Sequence, residues 1–192
     1  MNGQKGSVLL VSLIMLLVLT VIGIASVGGI SSVEKMAQSH KDYDAAFEMA
    51  EAALVEGERW LDAYDGSWKQ AHVQTSCTGS YCWKSTCDNG LCFKGSYPTG
   101  ANTLCEVDSS GTPVWESKTT WANKAKTYSV SVPAMEAPRY LIEFLCFAPR
   151  DPKSYTVPPD YTSWVRIYRV TAMGYGVSPD TRVMLQSTYR VD

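Results

Sequence analysis

Charge and proline are both missing from the first part of this sequence. No acidic or basic residue lies between Lys5 and Glu34, and no proline precedes Pro98. A helix of about 20 apolar residues crosses the hydrocarbon core of a bilayer, and only proline would strongly oppose such a helix here. The run is also longer than the core of about 7–15 residues in a secretory signal, and no small-x-small cleavage site follows it. The sequence therefore predicts a membrane-spanning helix that stays attached to the chain.

Cysteine is absent from this apolar run, and all six cysteines lie in later parts of the chain. Such placement is typical of a domain exported to an oxidising compartment, where disulfides form. No two cysteines have the Cys-x-x-Cys spacing of a zinc site, so disulfides are favoured over metal binding. The sequence does not choose among the possible pairings. The six are Cys77, Cys82, Cys87, Cys92, Cys105 and Cys146.

Residues that could carry catalysis are scarce as well. The only histidines, His40 and His72, have neither a nucleophile motif nor a ligand-spaced partner, and we expect both to be solvated. The formal net charge is −2, from 17 basic and 19 acidic residues, and no basic cluster points to nucleic acid. We therefore predict no enzyme, no catalytic, cofactor-binding or metal-binding residue, no cofactor, and no nucleic-acid partner.

Beyond the apolar run, the periodicity changes to that of an amphipathic helix. One interpretation is that its apolar face packs on the chain's own domain, and the other is that it forms a seam for neighbouring subunits. Both can hold along different parts of one helix. Glu48 and Glu51 lie three residues apart and are either solvated charges or partners for cations of a neighbouring subunit. The predicted apolar face consists of Met36, Tyr43, Phe47, Ala50, Leu54 and Leu61, with Ala46, Ala53 and Trp60 beside it.

The last third of the chain has the pattern of β-strands. Residues 139–148, 163–173 and 182–190 are rich in β-branched and aromatic side chains and are separated by proline and glycine. Turns of this length predict an antiparallel meander, with weaker strand candidates at 128–132 and 90–94. The predicted fold class is α+β: a long N-terminal helix packed on a C-terminal antiparallel sheet, with a disulfide-rich loop region.

The first six residues form a short polar leader that ends in Lys5-Gly6, directly against the apolar run. This leader resembles a class III, or prepilin, signal. The resemblance implies that prepilin peptidase cleaves after Gly6 and that the mature chain begins at an N-methylated Ser7. Such a signal is typical of the type IV filament superfamily.

Three further segments resemble the PilX-type minor pilins. The helix contains AF-x-x-AEAAL-x-x-GE from Ala46 to Glu58, and similar blocks lie at 137–143 and at 168–189. The resemblance covers residues 1–61 and about 137–190, and it does not extend to the cysteine-rich segment between them. It implies the type IV pilin fold, with a leader at 1–6, a long helix at 7–61 and a globular head at 62–192. Residues 7–30 would be the transmembrane part of that helix.

The resemblance implies that the chain is a minor pilin that primes pilus assembly within a minor-pilin complex, at or near the filament tip. Its implied partners are other minor pilins, the major pilin, prepilin peptidase and the inner membrane, and it allows a PilY-type tip adhesin. The chain would first be a single-pass inner-membrane protein with its head in the periplasm, and later part of the extracellular pilus.

One position departs from the pilin pattern. Most pilins have a glutamate as the fifth residue of the mature chain, where this sequence has Val11. Some tip pseudopilins of type II secretion systems share this feature, so a tip pseudopilin is the alternative within the superfamily. The alternative from another class is a membrane-anchored periplasmic domain that is enzymatic or binds metal through its cysteines.

Overall fold

The computed structural model describes residues 7–74, 76–94, 112–130, 136–151 and 164–191, and of residues 26–31 and 70 it describes only the backbone. The chain divides into two compact units, an N-terminal unit that ends at Asp42 and a C-terminal unit that begins at Tyr43. The helices and strands are α1 (Ser7–Asp65), β1 (Leu91–Cys92), α2 (Lys118–Asn123), β2 (Lys126–Thr127), β3 (Arg139–Pro149), β4 (Trp164–Tyr175) and β5 (Arg182–Val191). Short 3-10 helices lie at Gln70–Val73, Asp88–Gly90 and Val114–Glu116. The leader predicted at residues 1–6 lies outside the described residues.

The sheet of the C-terminal unit has the strand order β1-β3-β4-β5, and β2 also pairs with β3. The predicted antiparallel meander is confirmed, because β4 pairs antiparallel with both β3 and β5. The weak candidate at 90–94 contains β1, which pairs in parallel with β3 and was not predicted to do so. The candidate at 128–132 is misplaced, since the strand is Lys126–Thr127 and residues 128–130 continue without one.

The C-terminal half of α1 packs on one face of this sheet through very small residues. Ala46, Ala50 and Ala53 are completely buried. Opposite them lies Gly174 of β4, where an added Cβ would overlap the backbone oxygen of Ala46 and the backbone nitrogen of Ala50. The helix backbone therefore lies directly against the strand backbone. Glycine at 174 and alanine on the helix are what allow this separation.

This close approach corrects only part of the predicted apolar face, since Ala46, Ala50, Ala53 and Leu61 of that prediction are buried. Tyr43 and Phe47, which the prediction placed on the same face, are exposed. The periodicity placed the two aromatic residues on that face because it weights a side chain by its hydrophobicity and not by its size. Against a glycine-containing strand, no room exists for a tyrosine or a phenylalanine.

Farther along α1 the space between helix and sheet is filled by large side chains. Leu61 and Tyr64 of the helix are buried with aromatic and branched residues of the sheet in one hydrophobic cluster. Trp83, which follows the helix in the chain, is almost completely buried in the same cluster. The sheet residues of this cluster include Tyr140, Ile142, Phe144, Tyr168 and Val170.

Candidate assembly surfaces

The apolar part of α1 exposes its side chains along its whole length. Residues Ser7–Ala25 have a mean hydropathy of 3.0, and none of them is buried. By length and composition this segment can cross a membrane. An apolar surface of this extent is unfavourable in water, so the segment requires lipid or the helices of other subunits around it.

The hydroxyl groups inside this segment have partners within the helix. Ser12 donates a hydrogen bond to the backbone oxygen of Leu9 at 2.9 Å, and Thr20 donates one to that of Leu17 at 2.7 Å. Since hydrocarbon offers no hydrogen-bond partners, such internal bonds are what a membrane helix needs. The two polar side chains are thus compatible with an apolar environment.

Val11 lies on the surface of this segment with 56% of its side chain exposed. Ser7, the first described residue of the helix, is exposed too, and Gly6 lies outside the described residues. The first turn of α1 contains no acidic residue. A helix packed against Val11 would meet an apolar side chain and no carboxylate.

In the C-terminal unit, the outward side of α1 combines apolar and acidic residues. Tyr43, Phe47 and Val55 are exposed apolar side chains at intervals of four and eight residues, so they lie on neighbouring positions of one helical face. Glu48 and Glu51 are exposed as well. Among the described residues, no ion pair involves either glutamate. This face is therefore available to a neighbouring subunit.

Three acidic residues near the end of α1 fasten the helix to the sheet. Ser187 of β5 donates a hydrogen bond to Glu58 at 2.7 Å, and Tyr189 donates one to Asp62 at 2.7 Å. Asp65 accepts a hydrogen bond from the Arg166 guanidinium of β4. The bond to Asp62 raises the pKa of the Tyr189 hydroxyl above its usual value. Sequence reasoning did not find these pairs, because each joins residues more than a hundred positions apart.

The disulfides of the loop region join near neighbours in the chain. Cys77 bonds to Cys82 and Cys87 to Cys92, each across a separation of 5 residues. Cys146 of β3 is disulfide-bonded as well, and no described cysteine is free. Cys105 lies outside the described residues. In the part of the chain that the structure describes, no cluster of histidine, cysteine or acidic residues could hold a metal ion.

His72 is half-buried in an aromatic cluster, so the expectation that it is solvated holds only in part. Its Nδ1 atom is 2.7 Å from the Tyr64 hydroxyl, which accepts a hydrogen bond from Nε1 of Trp83 at 3.1 Å. The Tyr64 hydroxyl thus joins the rings of Trp83 and His72 through two hydrogen bonds. Burial raises the pKa of Tyr64 to about 12, and burial followed by the charge of Lys69 lowers the pKa of His72. His40 is exposed, as expected.

Two family models match the chain. The model described as "Type IV pilus assembly protein PilX C-term" matches residues 69–191, and the one described as "PilX N-terminal" matches residues 5–55. The chain belongs to the PilX family of type IV pilus assembly proteins. Searches of curated proteins and of solved structures found no significant match.

Membership of the PilX family accounts for the architecture described above. The resemblance on the long helix and on the last strands is confirmed, and the C-terminal model extends it through the cysteine-rich segment. This PilX-family chain is a structural pilus protein and not an enzyme. Its partners are pilus components, and its apolar helix is consistent with a location in the membrane and the pilus.

The neutral state of His72 predicts a pH dependence of stability for this PilX-family chain. Because the folded pKa lies below the unfolded value of about 6.5, the unfolded chain binds more protons as the pH falls. The contribution of His72 to the free energy of unfolding should therefore be at its maximum above about pH 6.5, and it should decrease as the pH falls from 6.5 to 5.

Replacing His72 by glutamine keeps an acceptor for Tyr64 and removes the titrating group. Thermal unfolding followed by the near-ultraviolet circular dichroism of the aromatic cluster should show a smaller decrease in the variant than in the native chain. If both chains lose the same stability between pH 6.5 and pH 5, His72 does not cause the dependence.

Proposed function

We propose that this chain is a minor pilin that primes type IV pilus assembly and occupies the leading position of the filament. The observation that carries the proposal is the exposed apolar segment Ser7–Ala25, which has Val11 at its fifth position and no carboxylate in its first turn. The family supports a role in pilus assembly, and the segment supports a subunit that passes from a bilayer into a bundle of helices.

The proposed maturation starts at the leader. Prepilin peptidase would cleave after Gly6 and Ser7 would become the methylated N-terminus, so that residues 1–6 are lost. The mature chain would then consist of the helix at 7–61, with its transmembrane part at 7–30, and the head at 62–192. The match of the N-terminal family model begins at residue 5, immediately before this cleavage point, which supports the proposal.

The proposed mechanism of assembly is an exchange of one apolar environment for another. In the membrane, lipid covers the side chains of Ser7–Ala25, and in the filament the helices of other subunits cover them. The exchange avoids exposure of the segment to water, which would cost about 25 cal/mol for each Å² of apolar surface. On the outward side of the C-terminal unit, Phe47, Glu48 and Glu51 would contact the neighbouring subunits.

The leading position follows from the charge that Val11 lacks. An entering pilin with a glutamate at this point can pair with the amine of the subunit above it. This chain cannot make that pair, yet its own Ser7 amine can still receive the glutamate of the subunit that follows. With no subunit above it, a carboxylate would be buried without a partner, and such burial is unfavourable. Valine avoids that cost.

The proposed neighbours are other minor pilins and the major pilin, with a PilY-type adhesin as a tip partner. A tip pseudopilin of a type II secretion system remains the second candidate, and Val11 is the observation that favours it. The match to pilus assembly models over both parts of the chain supports the first candidate.

Replacing Val11 by glutamate tests the proposed position. The exposed site accepts the larger side chain, so we expect the variant to fold and to be processed as the native chain is. A carboxylate in the bilayer costs up to about 3 kcal/mol, and it would be relieved by pairing with the amine of a subunit above. The variant should therefore appear at internal positions of sheared pili, as measured by crosslinking and mass spectrometry.

Val11→Gln is the matched control, because it is polar and of similar size but has no charge for an amine. It should stay where the native chain is. If Val11→Glu and Val11→Gln are placed alike, the charge at this position does not determine placement.

A further inference from the structure

A cavity of ≈ 520 Å³ lies in the C-terminal unit beside Trp60 of α1. Its volume is within the range of about 300–1,000 Å³ that is usual for small-molecule sites. Four separate parts of the chain build its wall: Trp60, the first disulfide loop with Tyr81, the second disulfide loop with Asn89, and the segment from Asn123 to Lys126.

Lys126 brings a positive charge to this cavity. Its Nζ atom lies 4.3 Å from the centre of the Trp60 ring, and burial lowers its pKa. Among the described residues, no carboxylate forms an ion pair with Lys126, whereas Lys124 on the same wall pairs with Asp88. A partly buried ammonium group with an aromatic ring as its only described partner is suited to receive an anion.

The backbone of the second disulfide loop sets the position of this lysine. Gly90 is buried with a φ of +72°, and a Cβ added to it would lie 2.9 Å from Cγ and 3.0 Å from the backbone nitrogen of Lys126. Asn89 also has a left-handed φ of 56°, which is uncommon for a residue other than glycine.

The remaining wall groups are an aromatic ring and two amides. Tyr81 is 47% exposed, and its ring packs 5.4 Å from Tyr64 and 6.3 Å from Trp60, measured between ring centres. The side chains of Asn89 and Asn123 are exposed, and each offers both donors and an acceptor. The Tyr81 ring is thus held in place by the neighbouring rings, while part of it is exposed.

We propose that this cavity binds an acidic saccharide of the hexuronic acid class. The apolar C–H face of a pyranose ring would lie on Tyr81, its hydroxyl groups would bond to Asn89 and Asn123, and its carboxylate would pair with Lys126. A single acidic side chain of a protein would satisfy only Lys126 and leave most of the volume unused. The site is separate from the helix surfaces proposed to contact other subunits.

The test uses the full chain in micelles of a detergent without a sugar headgroup. Isothermal titration is carried out with three probes: glucuronic acid, glucose, which lacks the carboxylate, and acetate, which lacks the ring. We expect saturable binding of glucuronic acid below about 10 mM, and binding of glucose and acetate at least about tenfold weaker. Acetate as tight as glucuronic acid would mean a simple anion site, including one for an acidic side chain, and would overturn the proposal.

Lys126→Met keeps the length of the side chain and removes its charge. It should weaken glucuronic acid about tenfold and leave glucose unchanged, while Lys69→Met, at an exposed lysine of the same unit, should change neither. An equal effect of the two variants on glucuronic acid would overturn the proposal.

A second variant keeps the proposal testable if Lys126→Met loses its near-ultraviolet circular dichroism and thus its fold. Asn123→Ala, at the exposed end of α2, should weaken both sugars about threefold. Unchanged binding of both sugars to Asn123→Ala, or no saturable binding of glucuronic acid to the native chain, would overturn the proposal.

Discussion

Replacing Gly174 by alanine is expected to lower the free energy of unfolding by about 3 kcal/mol or more, the largest loss that we predict for a single methyl group. The added Cβ would overlap backbone atoms of Ala46 and Ala50, and a backbone cannot move aside as the end of a flexible side chain can. The helix would have to separate from β4, which would open the contact around the buried alanines.

Thermal unfolding of the purified chain measures this effect, with an expected decrease in midpoint of about 10 °C. Gly66→Ala is the matched control, because an added Cβ at Gly66 meets no atom within 4 Å. That variant should remain within about 0.5 kcal/mol of the native chain. Equal midpoints for the two variants would show that α1 and β4 do not require the close approach described here.

Replacing Gly6 by leucine is expected to abolish processing. Cleavage after Gly6 would need the small residue at that point, so the variant should keep its leader and remain in the membrane without joining pili. Intact-mass measurement of the chain isolated from cells with the peptidase distinguishes a chain that begins at Met1 from one that begins at methylated Ser7.

Gly3→Leu provides the control for this prediction. It places the same bulky side chain in the leader but away from the proposed cleavage point, so it should be processed normally. A native chain that is uncut, or cut beyond Ala25 as in ordinary secretion, would contradict the proposed maturation.

The elements with strong local patterns could be predicted from the sequence. The apolar run without charge or proline predicts the first part of α1, and the β-branched and aromatic segments predict β3, β4 and β5 to within a few residues. In these segments nearly every residue contributes to one period, so no single misjudged residue changes the result.

The side of α1 that packs on the sheet could be predicted only in part, since Ala50 and Leu61 are buried as expected while Tyr43 and Phe47 are exposed. The choice depends on Gly174, which lies more than a hundred residues away in the chain and excludes every large side chain opposite it. The same is true of Glu58, Asp62 and Asp65, since a helix period gives no information on which acidic residues will meet β4 and β5.

The disulfide pairing of the loop region could not be predicted, for a different reason. Its cysteines recur at a regular spacing, yet the spacing alone permits neighbours or distant residues to pair. The structure pairs neighbours, Cys77 with Cys82 and Cys87 with Cys92, and the second bridge closes the loop that places Asn89 at the proposed saccharide cavity. Lys126 reaches that cavity only because β2 pairs with β3.

The most direct test of the leading position is to identify the neighbours of the native chain in assembled pili. A photoreactive side chain at the exposed Phe47 position, on the outward side of α1, can be crosslinked in sheared pili and its products read by mass spectrometry. The account predicts products with minor pilins, and with major pilin only from the subunits that follow the chain. Products with major pilin from above as well as below would place the chain in the shaft and contradict it.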